Sequence, residues 1–353
     1  MNATLIFEAM SQTKKAIGTE LVKKYLLTGV QLLISGAAVC FNLINISTFL
    51  HLGLKDSSTV CFFALSVADF LSAVFTMCLY LLDIIGTLRL LHLSVLRVFP
   101  FLLSVAAKET AAGITTYIAL QRALCVASPF FVRQAFTRKR SALVICIIFA
   151  FYLSFFVLRA SNVEMRQVVN PATNASVRVL FFTHTYQIIN LYLALYRNVT
   201  VFVEQGTMII CIVIIAQGLR SSRRLKERSG SKHVATSAVI NPSINITGSN
   251  RIENSSTVQV TKKGDNKENQ AVQQCLAIVI LHVVYSCPRV ISRCISLIFP
   301  IWHRSLFNKY FLDIISVSDG INAAAQFVIY MRFNKKYKEF VSSRFRCRVA
   351  SQK

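Results

Sequence analysis

Acidic residues are scarce in this chain: 15 Asp and Glu stand against 39 Lys and Arg in 353 residues, and charged residues of both signs make up only 15%. A soluble protein of this length carries roughly a quarter charged residues. There is one tryptophan, six prolines and twelve glycines, which excludes proline-rich, glycine-rich and collagen-like classes. No CxxC or Cys/His spacing marks a metal site. The ten cysteines do not form a secreted disulfide framework either, because most lie within apolar runs (Cys40, Cys61, Cys78, Cys146, Cys211, Cys275), where a thiol packs as a small apolar group. No HExxH, no GxSG-like serine with a histidine, and no paired aspartates in Tyr-Asp or Gly-Asp contexts occur, so nothing points to an enzyme, and no cofactor is implied. The opening MNATLIFEAMSQTKK lacks the basic start and apolar core of a signal peptide, so the first span is expected to direct insertion.

What is present is apolar residue in bulk: 54% of the chain, with a mean hydropathy of +0.54. A spanning helix needs about 20 mainly apolar residues. Runs of that length fall at about 26–51, 59–82, 98–124, 141–160, 198–219, 271–300 and 311–331. No barrel-type alternation is seen, and only helices then satisfy their own backbone groups in lipid. The expected architecture is an all-α membrane protein: a seven-transmembrane helix bundle followed by a short amphipathic helix. The stretch LFFTHTYQIINLYLALY (180–196) is apolar only in parts and is read as an outer segment lying on the bundle.

The net charge of +24 could suggest nucleic acid, but the basic residues sit between and after apolar segments, the pattern of positive-inside orientation and of attraction to anionic lipid. With the N-terminus outside, and Arg159 at the end of the fourth run counted as outer, 23 of the 39 Lys and Arg fall on inner segments and 12 on outer ones, with four inside the helices. This places residues 1–25 outside as an extracellular N-terminus, 26–331 as the spanning domain and 332–353 as an inner tail. The segment 220–269, rich in Ser, Asn and Lys, reads as a disordered cytoplasmic loop. Sequons at Asn2 and Asn174 then face outside and are candidate glycosylation sites, whereas Asn245 and Asn254 face inside. Nucleic acid is not expected as a partner; the lipid bilayer is.

Ionisable residues inside a spanning helix cost about 3 kcal/mol each at mid-membrane and face the bundle interior with a partner. Asp69 lies at mid-membrane in ALSVADFL, and its depth matches Asn42 in CFNLINIS, an expected hydrogen-bond partner. Arg122 stands at the foot of the third helix in TTYIALQRALCVASPFF, and Glu268 stands at the mouth of the sixth. Together they would latch two helices at their inner ends. Pro288 interrupts the sixth helix and permits a bend there. Toward the opposite ends lie Lys108, Glu109, Glu204, Arg289, Arg293 and Asp319. Arg289 and Arg293 are one turn apart on one face, and Lys108 lies about 21 Å along the helix from Arg122. Such a set either neutralises itself or lines a ligand site; three cations would favour a small ligand with an acidic group. After the seventh helix, Phe333, Tyr337 and Phe340 share one face of an amphipathic helix, with Lys335, Lys336 and Lys338 turned away from it. Cys347 beyond them is a candidate palmitoylation site.

Taken in order over about residues 26–345, these features resemble a rhodopsin-like G-protein-coupled receptor. The carriers are Asn42, Leu65, Ala68-Asp69, Arg122, Pro129, Lys267-Glu268, Cys287-Pro288, Asn322 and Tyr330, together with the amphipathic helix. The stretch SDGINAAAQFVIY most resembles divergent chemosensory receptors of the molluscan type. The resemblance implies an extracellular small-molecule ligand near Lys108, Arg289 and Arg293. It also implies a polar network through Asn42, Asp69 and Asn322, and release of Arg122 toward a heterotrimeric G protein on activation. It implies phosphorylation of inner serines as well.

The chain departs from the family pattern at several places. Gln121 replaces the acid that usually precedes the arginine, so a weak latch and raised basal activity are expected. No cysteine occurs in 161–197, and Arg97 stands near the other usual disulfide position, so the outer loop must be ordered otherwise. Ser286 and His282 replace a tryptophan and a phenylalanine, and Gln326-Phe327 replaces an Asn-Pro pair. No acid lies near Ser104, which argues against a monoamine ligand. The alternative is a polytopic transporter or channel, since intramembrane charge also marks transport paths. The missing internal repeat and the long loop between the fifth and sixth helices stand against it.

Overall fold

A computed structural model describes residues 3–87, 94–128, 135–169, 176–237, 253–299 and 306–350 of the chain. Asn2 and Asn174 lie outside the described residues, as do the side chains of Glu268 and Cys347. Eight helices and one hairpin follow in order: α1 (Ala3–Leu52), α2 (Ser57–Thr87), α3 (Ser94–Ala127), α4 (Arg138–Ala160), β1 (Val163–Val169), β2 (Ser176–Phe182), α5 (His184–Ser237), α6 (Glu253–Ile298), α7 (Leu306–Phe333) and α8 (Lys335–Ala350). Within them, seven stretches are long and apolar enough to cross a membrane: Lys24–Leu52, Ser57–Ile85, Leu96–Ala127, Arg138–Ala160, His184–Ser221, Gln270–Ile298 and Phe311–Phe333. The chain is a multi-pass membrane protein of the all-α class whose spans are all helical, as its apolar runs require.

Local chemistry fixes several ends. α1 stops at Gly53, whose φ of 80° is open to glycine and whose N–H returns to the carbonyls of Phe49 and Leu50. Thr137 caps α4 by accepting from the Arg140 amide at 3.4 Å. Asn334 caps α8, its Oδ1 accepting from the Tyr337 amide at 3.1 Å.

Two expectations need correction. Residues 184–196 do not lie across the bundle; they are the first turns of α5, continuous with the fifth span. Helix propagates at one hydrogen bond per residue once nucleated, and no glycine or proline interrupts this stretch. Residues 220–237 and 253–269 are helical extensions of α5 and α6 rather than irregular loop. Lys, Arg, Glu and Gln are good helix formers, so polarity alone did not mark the ends. Residues before Lys24 are helical and continuous with α1, ahead of the span that begins at Lys24.

α2 lies deepest, against both α1 and α3. One core joins Phe49, Leu65, Ile114, Ile118, Ile278, Tyr330 and Tyr337; a second joins Ala119, Met208, Ile215 and Val279 between α3, α5 and α6. Where α1, α2 and α7 meet, the contact is made by Ala38, Ala73 and Ala323. Small residues let helix backbones approach closely in lipid, where apolar side chains gain little from leaving the bilayer. Gly320 belongs to the same contact: a Cβ there would sit 2.6 Å from Ile34 Cγ2. The antiparallel hairpin pairs Val163 with Phe182 through Val169 with Ser176, and β2 packs on α3. It orders the segment that lacks cysteines, and it marks one end of the bundle. α8 marks the other, folding back so that Tyr337 and Val341 are buried against the α1 and α7 ends.

Candidate functional site

At the α8 end, Arg122 leaves α3 three residues before Cys125 and reaches two neighbouring helices. Its Nη2 donates to Ser58 Oγ at 2.5 Å, and its Nε donates to Cys275 Sγ at 3.2 Å. It therefore ties α3 to the start of α2 and to α6. The sequence singled out Glu268 as its partner on α6; among the described residues the α6 contact is Cys275, seven residues further along the same helix. Beside it, Gln121 occupies the position of the missing acid and acts differently. Its Nε2 donates to Ser57 Oγ at 2.7 Å, Ser57 shares a hydrogen bond with Ser141, and Tyr117 shares one with the same Ser141. This neutral chain joins α2, α3 and α4 without engaging Arg122.

Midway along the bundle, the expected pair of Asn42 with Asp69 is not formed. Asn42 Nδ2 donates to the carbonyls of Ala38 and Ala323, at 3.0 and 3.1 Å, and so clamps α1 to α7. Asp69 instead accepts from Gln326 Nε2 at 2.6 Å, a charge-assisted bond between α2 and α7. Equal depth did not suffice, because the rotation of α1 turns Asn42 toward the α7 backbone. Asn45 continues the line, donating to Asn42 Oδ1 and accepting from the Tyr337 phenol at 2.5 Å. Burial raises the pKa of that phenol, so it stays a donor at ordinary pH. Asn322 is not bonded to Asp69 either; its Nδ2 meets His282 Nδ1 at 3.2 Å, linking α7 to α6. Tyr330 is fully buried, edge-on to Phe49 with ring centroids 5.1 Å apart.

Pro288 lies inside α6, where its ring displaces the helix bond to the Val284 carbonyl. The turn around it is held by side chains. Ser286 Oγ and Cys287 Sγ both donate to the Val283 carbonyl, and Gln205 Nε2 of α5 donates to Ser286 Oγ at 2.6 Å. Ser286, in the place where the resemblance expects a tryptophan, thus binds α6 to α5.

At the hairpin end, a cavity of about 350 Å³ opens among α2 to α7. All six residues singled out for this region, Lys108, Glu109, Glu204, Arg289, Arg293 and Asp319, line it. They are not equivalent. Asp319 takes two cations at once, Arg289 Nη2 at 2.5 Å and Lys108 Nζ at 3.6 Å. Glu109 pairs with Arg197 of α5, Oε1 to Nε at 2.5 Å. Glu204 accepts from the Tyr152 phenol of α4 at 2.7 Å. Arg293 has no ion pair among the described residues. Thr76 and Ser104 share a hydrogen bond at 2.7 Å across α2 and α3. At the top of α3, where the resemblance leads one to look for a cysteine bonded to the second outer loop, Arg97 pairs instead with Asp83 of α2 at 3.0 Å.

Sequence reasoning missed Tyr152, Arg159 and Arg197 at this site and Gln326 at the middle. The two arginines fall near the ends of apolar runs and were counted with the outer loops, since basic residues there are the ordinary signal of an interface. The extra turns of α5, had they been recognised, would have brought Arg197 inside. No family model matches the chain, and no curated protein matches it. What the architecture and composition define is therefore the class alone: a seven-span helical membrane protein with a charged cavity at one end and a buried arginine clasp at the other.

Proposed function

We propose that this chain is a receptor of the rhodopsin-like G-protein-coupled class. It lies in the plasma membrane with the hairpin end outside, takes an extracellular small molecule, and activates a heterotrimeric G protein. The observation that carries the reading is that one helix, α6, serves both ends of the bundle: Arg289 and Arg293 line the cavity, and Cys275 holds Arg122. Thirteen residues separate Pro288 from Cys275, about 20 Å of helix. A ligand that draws on Arg289 or Arg293 acts on α6 just beyond its proline, and the far arm then lifts Cys275 off Arg122. A ligand shifts such an equilibrium only by its difference in affinity for the two packings.

The clasp is weak by construction. Among the described residues two neutral acceptors, a hydroxyl and a thiol, hold Arg122, whereas an acid would add a full charge. The expected outcome is measurable basal activity. In nucleotide-exchange assays at matched surface expression, Cys275→Ala raises the basal rate by about two- to fivefold, the population shift that ~0.5–1 kcal/mol of lost hydrogen bond corresponds to. Arg122→Ala abolishes the signal. Glu268→Ala, run beside them, tells whether that acid also holds the arginine, since it raises the signal only if it does. Silence from all three at the surface, with uptake of a labelled solute into vesicles, would move the reading to a transporter.

A further inference from the structure

The charges at the hairpin end divide into two groups of different balance. The first is Lys108, Arg289, Asp319 and Glu204. Asp319 pairs with both cations, and Arg289 also lies within electrostatic reach of Glu204. Two cations and two acids leave that group neutral. The second is Arg159 at the end of α4, Arg197 on α5, Arg293 on α6 and Glu109 on α3. Arg197 is within electrostatic reach of both other arginines, and Glu109, the acid common to all three, is already paired with Arg197. Arg293 further faces Arg289. Three cations and one acid leave an excess of two positive charges.

That excess is not solvated away. Arg159 is 7% exposed, and its buried Nε has no hydrogen-bond partner among the described residues. Arg197 and Arg293 line the cavity; Arg159 does not line it but lies within electrostatic reach of both. Desolvated like charges repel strongly, and a buried arginine normally has its donors paired. Guanidinium groups present forked donors that fit the oxygens of phosphate and carboxylate. Resting on the reading of the cavity as a ligand site, we propose that Arg197 and Arg293, backed by the nearby charge of Arg159, form an anion subsite that takes a compact doubly negative group, a phosphate monoester or a pair of adjacent carboxylates. The rest of the small molecule lies among Leu79, Phe101, Val105, Val201, Leu312 and Ile315. Lys108 and Arg289, held by Asp319, are not the anion anchors. This revises the assignment made from sequence, in which all intramembrane cations counted alike.

The test uses the full chain in nanodiscs of phosphatidylcholine, which carries no net charge. Thermal unfolding is followed against phenyl phosphate, phthalate, benzoate and benzyl alcohol, four probes with similar bodies and different charge. The dianions stabilise most, benzoate less and the alcohol least. Arg293→Gln weakens phenyl phosphate about tenfold to a hundredfold, the loss of one charge-assisted contact, and Arg159→Gln, which removes only a nearby charge, weakens it less. Both variants also raise the Tm of the ligand-free protein, because a repelling charge is gone, and this arm needs no ligand. Glu109→Gln does the reverse: it tightens phenyl phosphate and lowers the ligand-free Tm. Benzyl alcohol matching the dianions would overturn the subsite. So would wild-type affinity in both arginine variants, or a lower ligand-free Tm in both. Comparing phenyl phosphate with phthalate separates the two dianion chemistries. Nucleotide exchange on G proteins is measured separately. Dianion binding without exchange on any G protein leaves the subsite standing and removes the receptor reading; exchange without any dianion preference does the opposite.

Discussion

Gln326 shows how a single side chain can change a buried acid's circumstances. Asp69 is 5% exposed and sits among α2 and α7 atoms, where a carboxylate without a donor would be costly. Gln326 Nε2 supplies that donor at 2.6 Å. Gln326→Leu should therefore lower stability by about 1–3 kcal/mol, the cost of a buried acceptor left without its partner. Adding Asp69→Leu to the same chain should recover much of the loss, since two apolar groups no longer need each other. Thermal unfolding of the two single variants and the double variant measures the coupling; additive losses would show that the bond contributes nothing. At this scale the sequence identified which polar residues are buried, because an Asp or Asn within an apolar run avoids lipid only by facing the bundle interior. It did not identify their partners. Asn42 and Asp69 have matching depth, yet helix rotation turns one to the Ala323 carbonyl and the other to Gln326. Rotation is set by packing against several helices at once, and no local pattern in the chain encodes it.

At the scale of elements, spans were legible and ends were not. All seven apolar runs appear as spanning helices, because the lipid imposes both the length and the helical hydrogen bonding. The ends carry no such mark: α5 and its candidate span begin at His184, fourteen residues before the apolar run read from the sequence. The contacts between helices follow from residue size. α7 approaches α1 at Gly320, where a Cβ would lie 2.6 Å from Ile34 Cγ2. Gly320→Ala should therefore force the two helices apart and cost about 1–3 kcal/mol, an overpacking penalty. Ile34→Ala in the same chain opens the space and should return most of the loss. If Gly320→Ala is instead neutral by thermal unfolding, α7 is free to shift against α1, and the close contact does not hold the helices in register. The same separation should weaken the Asn42 clamp, since Ala323 lies one turn beyond Gly320 on α7.

For the whole molecule, the deciding asymmetry is between its two ends. The hairpin end holds the cavity with its acids and arginines. The α8 end holds the Arg122 clasp and the lysines Lys335, Lys336 and Lys338. The proposed reading, which takes its orientation from positive-inside counting, has α8 in the cytoplasm and the cavity outside. The bias is opposed locally: Lys23, Lys24 and the outer arginines count against it, but Arg197 lines the cavity and Arg159 is buried within electrostatic reach of the cavity arginines. Removing those two from the outer tally strengthens the orientation, because charges used inside the bundle do not report on loops. Labelling with a membrane-impermeant maleimide tests it, with unsubstituted protein as the background. Arg166→Cys, on the exposed face of β1, should label in intact cells. Lys335→Cys should label only after permeabilisation. The opposite result would turn the cavity toward the cytoplasm, so that its ligand would be an intracellular anion and no cytoplasmic G protein could reach Arg122. The expected result leaves the cavity open to what the cell meets from outside, and leaves Arg122 three residues from Cys125 at the inner face, where release of the clasp can be read.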